Sequence, residues 1–101
     1  MEQARKRFGE YLHRRYGDRS TPKHYLNDMD LFIQHIGQRP PQMVTIADVD
    51  SFVDQQLARG LRPSTVNRRL SSIHTFFEYL ASEEQEGKGT NPVNWQRHRI
   101  K

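Results

Sequence analysis

The segment Gly60–Leu80, with the sequence GLRPSTVNRRLSSIHTFFEYL, decides the fold of this chain. Its apolar side chains recur every three or four residues, which is the spacing of one face of an α-helix. Pro63 suits the first turn of a helix, where its missing backbone N–H costs nothing. The pattern predicts a helix over about residues 63–82. The buried stripe of this helix is expected to comprise Val66, Leu70, Ile73, Phe76, Phe77 and Leu80.

Three other segments show the same helical spacing, over about residues 2–16, 21–37 and 46–59, and a glycine stands at the end of each. Thr45, with an acid three positions later at Asp48, resembles a capping box for the third of these helices. No stretch alternates apolar and polar residues as a half-buried strand would. We therefore predict an all-α fold, a compact four-helix bundle of two helical hairpins.

The start and the apolar faces of these helices can be read residue by residue. The second helix is expected to start at Ser20-Thr21-Pro22, where Thr21 can cap and Pro22 suits the first helical position. The predicted stripes are Ala4, Phe8, Tyr11 and Leu12 in the first helix; Tyr25, Met29, Phe32 and Ile36 in the second, flanked by Leu26 and Ile33; and Ile46, Val49, Val53 and Leu57 in the third, with Phe52 beside them.

The composition excludes several classes of function. The 101 residues include no cysteine, which excludes disulfides, thiolate zinc sites and a cysteine nucleophile, and suits a cytoplasmic location. The longest apolar run is Leu31-Phe32-Ile33, too short to span a membrane. No two histidines stand three to five residues apart, so no helical metal pair exists. No credible catalytic set for a small hydrolase is present. We expect no metal, no cofactor and no small-molecule substrate.

The charged residues are unevenly distributed along the chain, whose net charge is +4. Residues 1–23 carry a net +4, residues 24–60 a net −3, residues 61–82 a net +2 and residues 83–101 a net +1. An ordinary solvated surface explains this distribution as well as a polyanion-binding face made by the first and third segments does.

The polar face of the fourth predicted helix favours nucleic-acid binding. Arg68 stands there among the small hydroxyl residues Ser64, Ser71 and Thr75, and hydroxyls and guanidinium groups donate to phosphate oxygens. An ordinary exposed helix carries more Glu and Lys in pairs. Asn67 and Arg69 flank the apolar stripe and either reach a ligand or close the core edge. On the second helix, Lys23 lies in the first turn, where a cation opposes the helix dipole, so phosphate contact is one reason for its presence.

The ordered set of features resembles a known family. The residues that carry the resemblance are Thr21, Tyr25, Asp28, Phe32 and Ile36, then Ile46-Ala47-Asp48-Val49, then Gly60–Leu80, then Asn91-Pro92-Val93. This set resembles the N-terminal core-binding, SAM-like domain of tyrosine recombinases, the phage integrase family. The resemblance implies a four-helix domain that grips one face of duplex DNA, with the second and fourth helices at the major groove.

In that family a separate C-terminal domain performs the chemistry, and its catalytic Arg, His and Tyr motifs have no match here. The resemblance therefore implies that this chain binds double-stranded DNA without cutting it and meets other recombinase subunits on the DNA. It also implies a domain over residues 1–92 and the start of an interdomain linker over residues 93–101. The DNA-facing residues that it implies are Lys23, Arg62, Ser64, Thr65, Asn67, Arg68, Ser71 and Ser72.

A protein-interaction domain is the alternative. Its working surfaces would be the acidic third helix and the basic tail Asn94–Lys101, which shows no helical periodicity and carries the only tryptophan, Trp95.

Overall fold

The structure, a computed structural model, describes residues 1–17, 19, 21–83 and 91–101. Within these ranges the chain forms five α-helices, one 3-10 turn and no β-strand. In chain order the elements are α1 (Glu2–Tyr16), α2 (Thr21–Ile36), the 3-10 turn Pro41–Met43, α3 (Ile46–Ala58), α4 (Pro63–Glu83) and α5 (Trp95–His98). The predicted all-α fold is confirmed, and α1 to α4 begin and end within one residue of their predicted bounds.

Local signals set the helix ends. Gly17, Gly37 and Gly60 have positive φ angles of 64°, 84° and 80°, a conformation that glycine adopts without steric cost. At the start of α3, Thr45 accepts a hydrogen bond from the N–H of Asp48, and the Asp48 carboxylate accepts one from the N–H of Thr45. The predicted capping box is therefore confirmed. The pKa of Asp48 is lowered, since hydrogen bonds from Arg39 and Thr45 outweigh the burial that would raise it.

Four phenylalanines, one from each of α1 to α4, form the centre of the core. Phe8, Phe32, Phe52 and Phe76 are each 0% exposed. The rings of Phe8 and Phe76 meet edge to face with centroids 5.2 Å apart, and those of Phe32 and Phe52 do so at 5.3 Å. Helix α1 packs on α2 and α3 packs on α4, while α2 and α4 make the most extensive contact. The two predicted hairpins therefore share one core along α2 and α4.

The predicted stripe of α4 is confirmed at all six positions, which are buried. The predicted stripe of α3 is only half right. Val49 and Val53 are buried, but Ile46 and Leu57 are 45% and 40% exposed. The buried face of α3 is shifted around the helix because Phe52 faces Phe32 and the amide of Gln56 is buried beside it on the same face. This shift leaves Ile46 and Leu57 at the solvent edge.

The tail folds back onto the bundle, although its sequence has no helical periodicity. Val93 is buried, and Asn94 caps the single turn of α5 by accepting a hydrogen bond from the N–H of Arg97 at 3.2 Å. His98 is buried with its Nε2 3.0 Å from a carboxylate oxygen of Asp50 on α3. Arg97 donates to both oxygens of that carboxylate. The segment that was expected to begin a linker is thus packed against α3.

Two predictions concern residues outside the described ranges. Ser20, the first residue of the predicted start of the second helix, is one of them, and Thr21 is the first helical residue of α2. The segment 83–90, whose two glycines and several charges predict a loop, also lies outside these ranges, except Glu83, which ends α4.

Candidate nucleic-acid interface

A groove of about 400 Å³ lies where the N-terminal half of α2 faces the middle of α4. It is lined by side chains from the first two turns of α2 and from one face of α4: Thr21, His24, Tyr25, Arg68, Ser71 and Ser72. Met29 and Ile73, which lie further along α2 and α4, are fully buried. Guanidinium, imidazole and hydroxyl groups thus face one open space.

The predicted DNA-facing residues fall into three groups. Lys23 on α2, together with Arg62, Ser64, Arg68 and Ser71 on or before α4, is exposed. Thr65 and Asn67 are half-buried, and Ser72 is buried. Arg68, Ser71 and Ser72 are brought together at the groove. Lys23 precedes the groove residue His24 in the chain.

Ser72 is a correction to the expected DNA-facing set, because only 4% of it is exposed. Its hydroxyl donates to Oδ2 of Asp28 at 2.7 Å, and Arg68 donates to the same oxygen through Nη1 at 3.1 Å. Asp28 is itself 2% exposed, whereas the Arg68 side chain is 50% exposed. A buried carboxylate therefore anchors the groove's arginine from beneath, with Ser72 as its second donor.

Asn67 holds the tail rather than facing the groove. Its amide nitrogen donates to the carbonyl of Ile100 at 2.7 Å, and its side-chain oxygen accepts from the N–H of Ile100 at 2.8 Å. Both polar ends of this side chain are thus engaged by one backbone position. The expectation that Asn67 faces DNA is replaced by a structural role for it.

Arg69 closes the core edge, which was one of the two roles left open for it. It is half-buried and donates through Nη1 to the buried amide oxygen of Gln56. Its Nε is buried and has no hydrogen-bond partner among the described residues. Arg69 therefore supplies no free cation to the groove.

The DNA-facing set predicted from the sequence lacks four residues of this site: Thr21, His24, Tyr25 and Asp28. Thr21 and His24 line the groove from α2. A signal for Asp28 was present, because it stands three residues after Tyr25 and four before Phe32, which is helical spacing along the apolar stripe. An acid at that spacing is buried only with a partner, and the facing helix supplies Arg68.

The acidic middle of the chain is largely neutralised by ion pairs. Four of its carboxylates pair with arginines: Asp28 with Arg68, Asp30 with Arg5, Asp48 with Arg39 and Asp50 with Arg97. Most of these partners come from the basic segments on either side. Asp30, which would otherwise repel DNA from the face of α2, accepts two hydrogen bonds from Arg5.

Tyr79 has no features of a nucleophile. It is buried, its hydroxyl donates to Glu83 at 2.6 Å, and its ring packs on Tyr11 with centroids 4.6 Å apart. Burial and the hydrogen bond to Glu83 raise the pKa of Tyr79 to about 12. Tyr79 therefore acts as a neutral core residue.

A metal centre and a membrane span are both absent from the part of the chain that the structure describes. No group of three or more His, Asp or Glu side chains converges there as metal ligands. None of the helices in these ranges is long and apolar enough to cross a membrane.

A helical bundle with this element order is an all-α, SAM-like domain. The chain belongs to the phage integrase family: the model of the phage integrase N-terminal SAM-like domain matches residues 6–84. This is the N-terminal domain type of tyrosine recombinases.

Two curated relatives are tyrosine recombinases. The chain is 35% identical to tyrosine recombinase XerC of Thermodesulfovibrio yellowstonii over 68 residues, which are 66% of this chain and 22% of that protein. It is 31% identical to tyrosine recombinase XerC of Listeria innocua over 86 residues, which are 80% of this chain and 28% of that protein. The chain thus spans about a quarter of the length of these relatives. No solved structure gives a significant match.

Proposed function

We propose that this chain binds double-stranded DNA in a sequence-specific way at recombination sites, as the N-terminal domain of a site-specific tyrosine recombinase. The observation that carries the proposal is the groove between α2 and α4, where Arg68, Ser71 and His24 face one open space. Phosphate contacts of this kind fix the orientation of a protein on a duplex.

The charges around the groove fit a DNA backbone. Lys23 in the first turn of α2 and Arg62 just before α4 are exposed cations, and the hydroxyl of Ser64 is exposed beside Arg62. Cations and hydroxyls in this arrangement donate to phosphate oxygens along one strand. The exposed face of α4 between these contacts would then lie against base edges, which is where sequence is read.

In this proposal the domain grips DNA and does not cut it. Strand cleavage is assigned to another part of the recombinase, and other recombinase subunits on the same DNA are the expected protein partners. A role at DNA recombination sites also fits the cytoplasmic localisation expected from the sequence.

Duplex binding and its salt dependence test the proposal. We expect the chain to bind a fluorescently labelled duplex at low salt by anisotropy. Selection from a random-sequence duplex pool should enrich one motif. Lys23→Ala and Arg62→Ala should each weaken binding several-fold, because each removes a phosphate contact. Each should also reduce the slope of log K against log salt by about 0.9.

Lys6→Ala is the matched control, because Lys6 is exposed on α1 in the cleft that contains Asp30. Measured at about 0.1 M salt, where the Debye length is about 10 Å, this variant should bind within about twofold of the unchanged chain, because Lys6 does not line the α2–α4 groove. Absence of any duplex binding at low salt would overturn the proposal. Equal effects of Lys6→Ala and Lys23→Ala would remove the α2–α4 face from it.

Protein interaction remains the second candidate function, because four large apolar side chains are exposed on α3, on α5 and on the 3-10 turn before α3: Met43, Ile46, Leu57 and Trp95. A stable oligomer in sedimentation without DNA, combined with failure to bind duplexes, would favour this candidate.

A further inference from the structure

We propose that Asp28 is a positioning residue, which fixes the guanidinium of Arg68 so that its free edge meets a DNA phosphate in the groove between α2 and α4. The inference rests on the proposed function and assigns a DNA-binding role to a carboxylate that never touches DNA.

Asp28 is buried in the middle of α2, with 2% of its surface exposed. A carboxylate removed from water stays ionised only when hydrogen-bond donors and a cation replace its hydration. Here both come from α4: Ser72 donates at 2.7 Å and Arg68 at 3.1 Å, to the same oxygen, Oδ2. The charged partner of Asp28 is thus fixed in place by the most extensive helix contact of the fold.

Arg68 extends from the buried carboxylate of Asp28 to the surface of the groove. Its side chain is half-exposed and lines the groove, although one of its nitrogens is held below the surface. Guanidinium is a rigid planar group, so anchoring one nitrogen orients the remaining N–H donors. Long cationic side chains lose rotamer freedom when they bind a ligand, and a side chain that is already oriented loses less. Arg68 is therefore preorganised for a ligand with oxygen acceptors.

Ser71, Thr21 and His24 line the same groove as Arg68 and supply further polar hydrogen-bonding groups there. A tetrahedral phosphate of the DNA backbone matches such a set, and charge-assisted hydrogen bonds to it are strong and directional. Because Asp28 offsets the charge of Arg68, this pair adds little long-range attraction. Its contribution is geometric, whereas Lys23 and Arg62 supply net positive charge.

This division of roles makes Asp28→Asn a decisive substitution. If Asp28 mattered only through its charge, removing a negative charge beneath a DNA-binding groove would strengthen binding. If Asp28 positions Arg68, the same change weakens binding, because a neutral amide holds the guanidinium less firmly. We expect about a tenfold loss of affinity, the size of one charge-assisted hydrogen bond. We also expect the salt slope to fall by about 0.9, the value of one lost phosphate contact.

Asp30→Asn is the matched control on the same helix. It makes the same change of charge at an exposed carboxylate that pairs with Arg5 and not with the groove. Anisotropy would be measured for both variants with the duplex enriched from the random pool, after circular dichroism has verified that each is folded. Asp30→Asn should bind as tightly as the unchanged chain or slightly more tightly.

Two further variants separate positioning from a merely structural role. Ser72→Ala removes one donor to Asp28 without altering any charge, so it should weaken binding two- to threefold. It should also stay folded even if Asp28→Asn does not fold. Arg68→Lys keeps a cation for Asp28 but lacks the planar donor set, so it should stay folded and lose affinity as Asp28→Asn does. If the unchanged chain binds and Asp28→Asn or Ser72→Ala binds equally well or better, the positioning role is overturned and the proposed function stands. If the unchanged chain binds no duplex, both are overturned.

Discussion

Arg68 has two roles, because it pairs with the buried carboxylate of Asp28 and also presents its guanidinium to the groove. Lys23 and Arg62 are exposed cations and are proposed only to contact DNA. Residues of the DNA-facing set that look alike in the sequence therefore differ in what their removal does to the fold. From the proposed roles we expect Arg68 to couple stability and binding through Asp28, and Arg62 to affect binding alone.

Arg68→Ala should destabilise the protein by about 2–4 kcal/mol. Removing one partner of a buried pair leaves an uncompensated charge, and the half-exposure of Arg68 places the effect below the upper range for such pairs. Arg62→Ala should change stability by less than about 0.5 kcal/mol, since it is an exposed residue without a buried partner. Urea unfolding followed by circular dichroism measures both.

The double variant Asp28→Asn/Arg68→Ala provides the check. Because the amide that replaces the Asp28 carboxylate carries no charge, part of the loss seen in Arg68→Ala should be recovered, and the two changes should be non-additive. Additive effects would mean that Asp28 does not depend on Arg68 in the folded protein.

At the scale of elements, local sequence signals determine where the helices begin and end. They determine only in part which face of each helix is buried. Period, proline and glycine positions define α1 to α4 to within one residue, because these signals act inside each segment. The face of α3 could not be read the same way. Ile46 and Leu57 fit its apolar stripe, but packing of Phe52 against Phe32 turns the helix so that Gln56 is buried instead. Contacts between helices decide that rotation.

The tail and the groove show the same limit. No periodicity in the sequence predicts the turn α5 or the two hydrogen bonds between Asn67 and Ile100, because both depend on partners distant in the sequence. Helical spacing in the sequence put Arg68 and Ser71 on one polar face of α4, and both line the groove. It could not show that Ser72, one position further, is turned under the surface toward Asp28.

The attachment of α5 to α3 should be lost in acid. Hydrogen bonds from Arg97, together with the charges of Arg97 and His98, lower the pKa of Asp50. A carboxyl with a lowered folded-state pKa stabilises the fold fully above its unfolded pKa of about 3.9, and loses that contribution as the pH falls through the lower folded value. We therefore expect α5 to detach below about pH 3.9.

Fluorescence of Trp95 reports this step, because it is the only tryptophan and lies in α5. Circular dichroism in parallel shows whether α1 to α4 persist. Asp50→Asn should show the detached signal of Trp95 already at neutral pH, with the main helices intact. A Trp95 signal that Asp50→Asn leaves unchanged would contradict the attachment through this carboxylate.

On the scale of the whole molecule, four phenylalanines make one cooperative core of four helices. Each helix contributes one fully buried ring, and the two edge-to-face pairs connect α1 with α4 and α2 with α3. The contact of α2 with α4 then connects the two pairs, and the same contact forms the floor of the groove. Stability of the core and geometry of the candidate interface therefore depend on the same helices.

Phe52→Ala should cost about 3–5 kcal/mol, the usual loss for removing a buried phenylalanine, while Leu57→Ala on the same helix should cost less than about 0.5 kcal/mol. The contrast follows from exposures of 0% for Phe52 and 40% for Leu57, although both are large apolar residues. Since small domains are stable by only about 5–15 kcal/mol, Phe52→Leu serves as a milder version if Phe52→Ala does not fold. Urea unfolding measures all three variants. Similar losses of stability for Phe52→Leu and Leu57→Ala would contradict this contrast. They would indicate that Leu57 belongs to the core, as the apolar stripe in the sequence of α3 predicts.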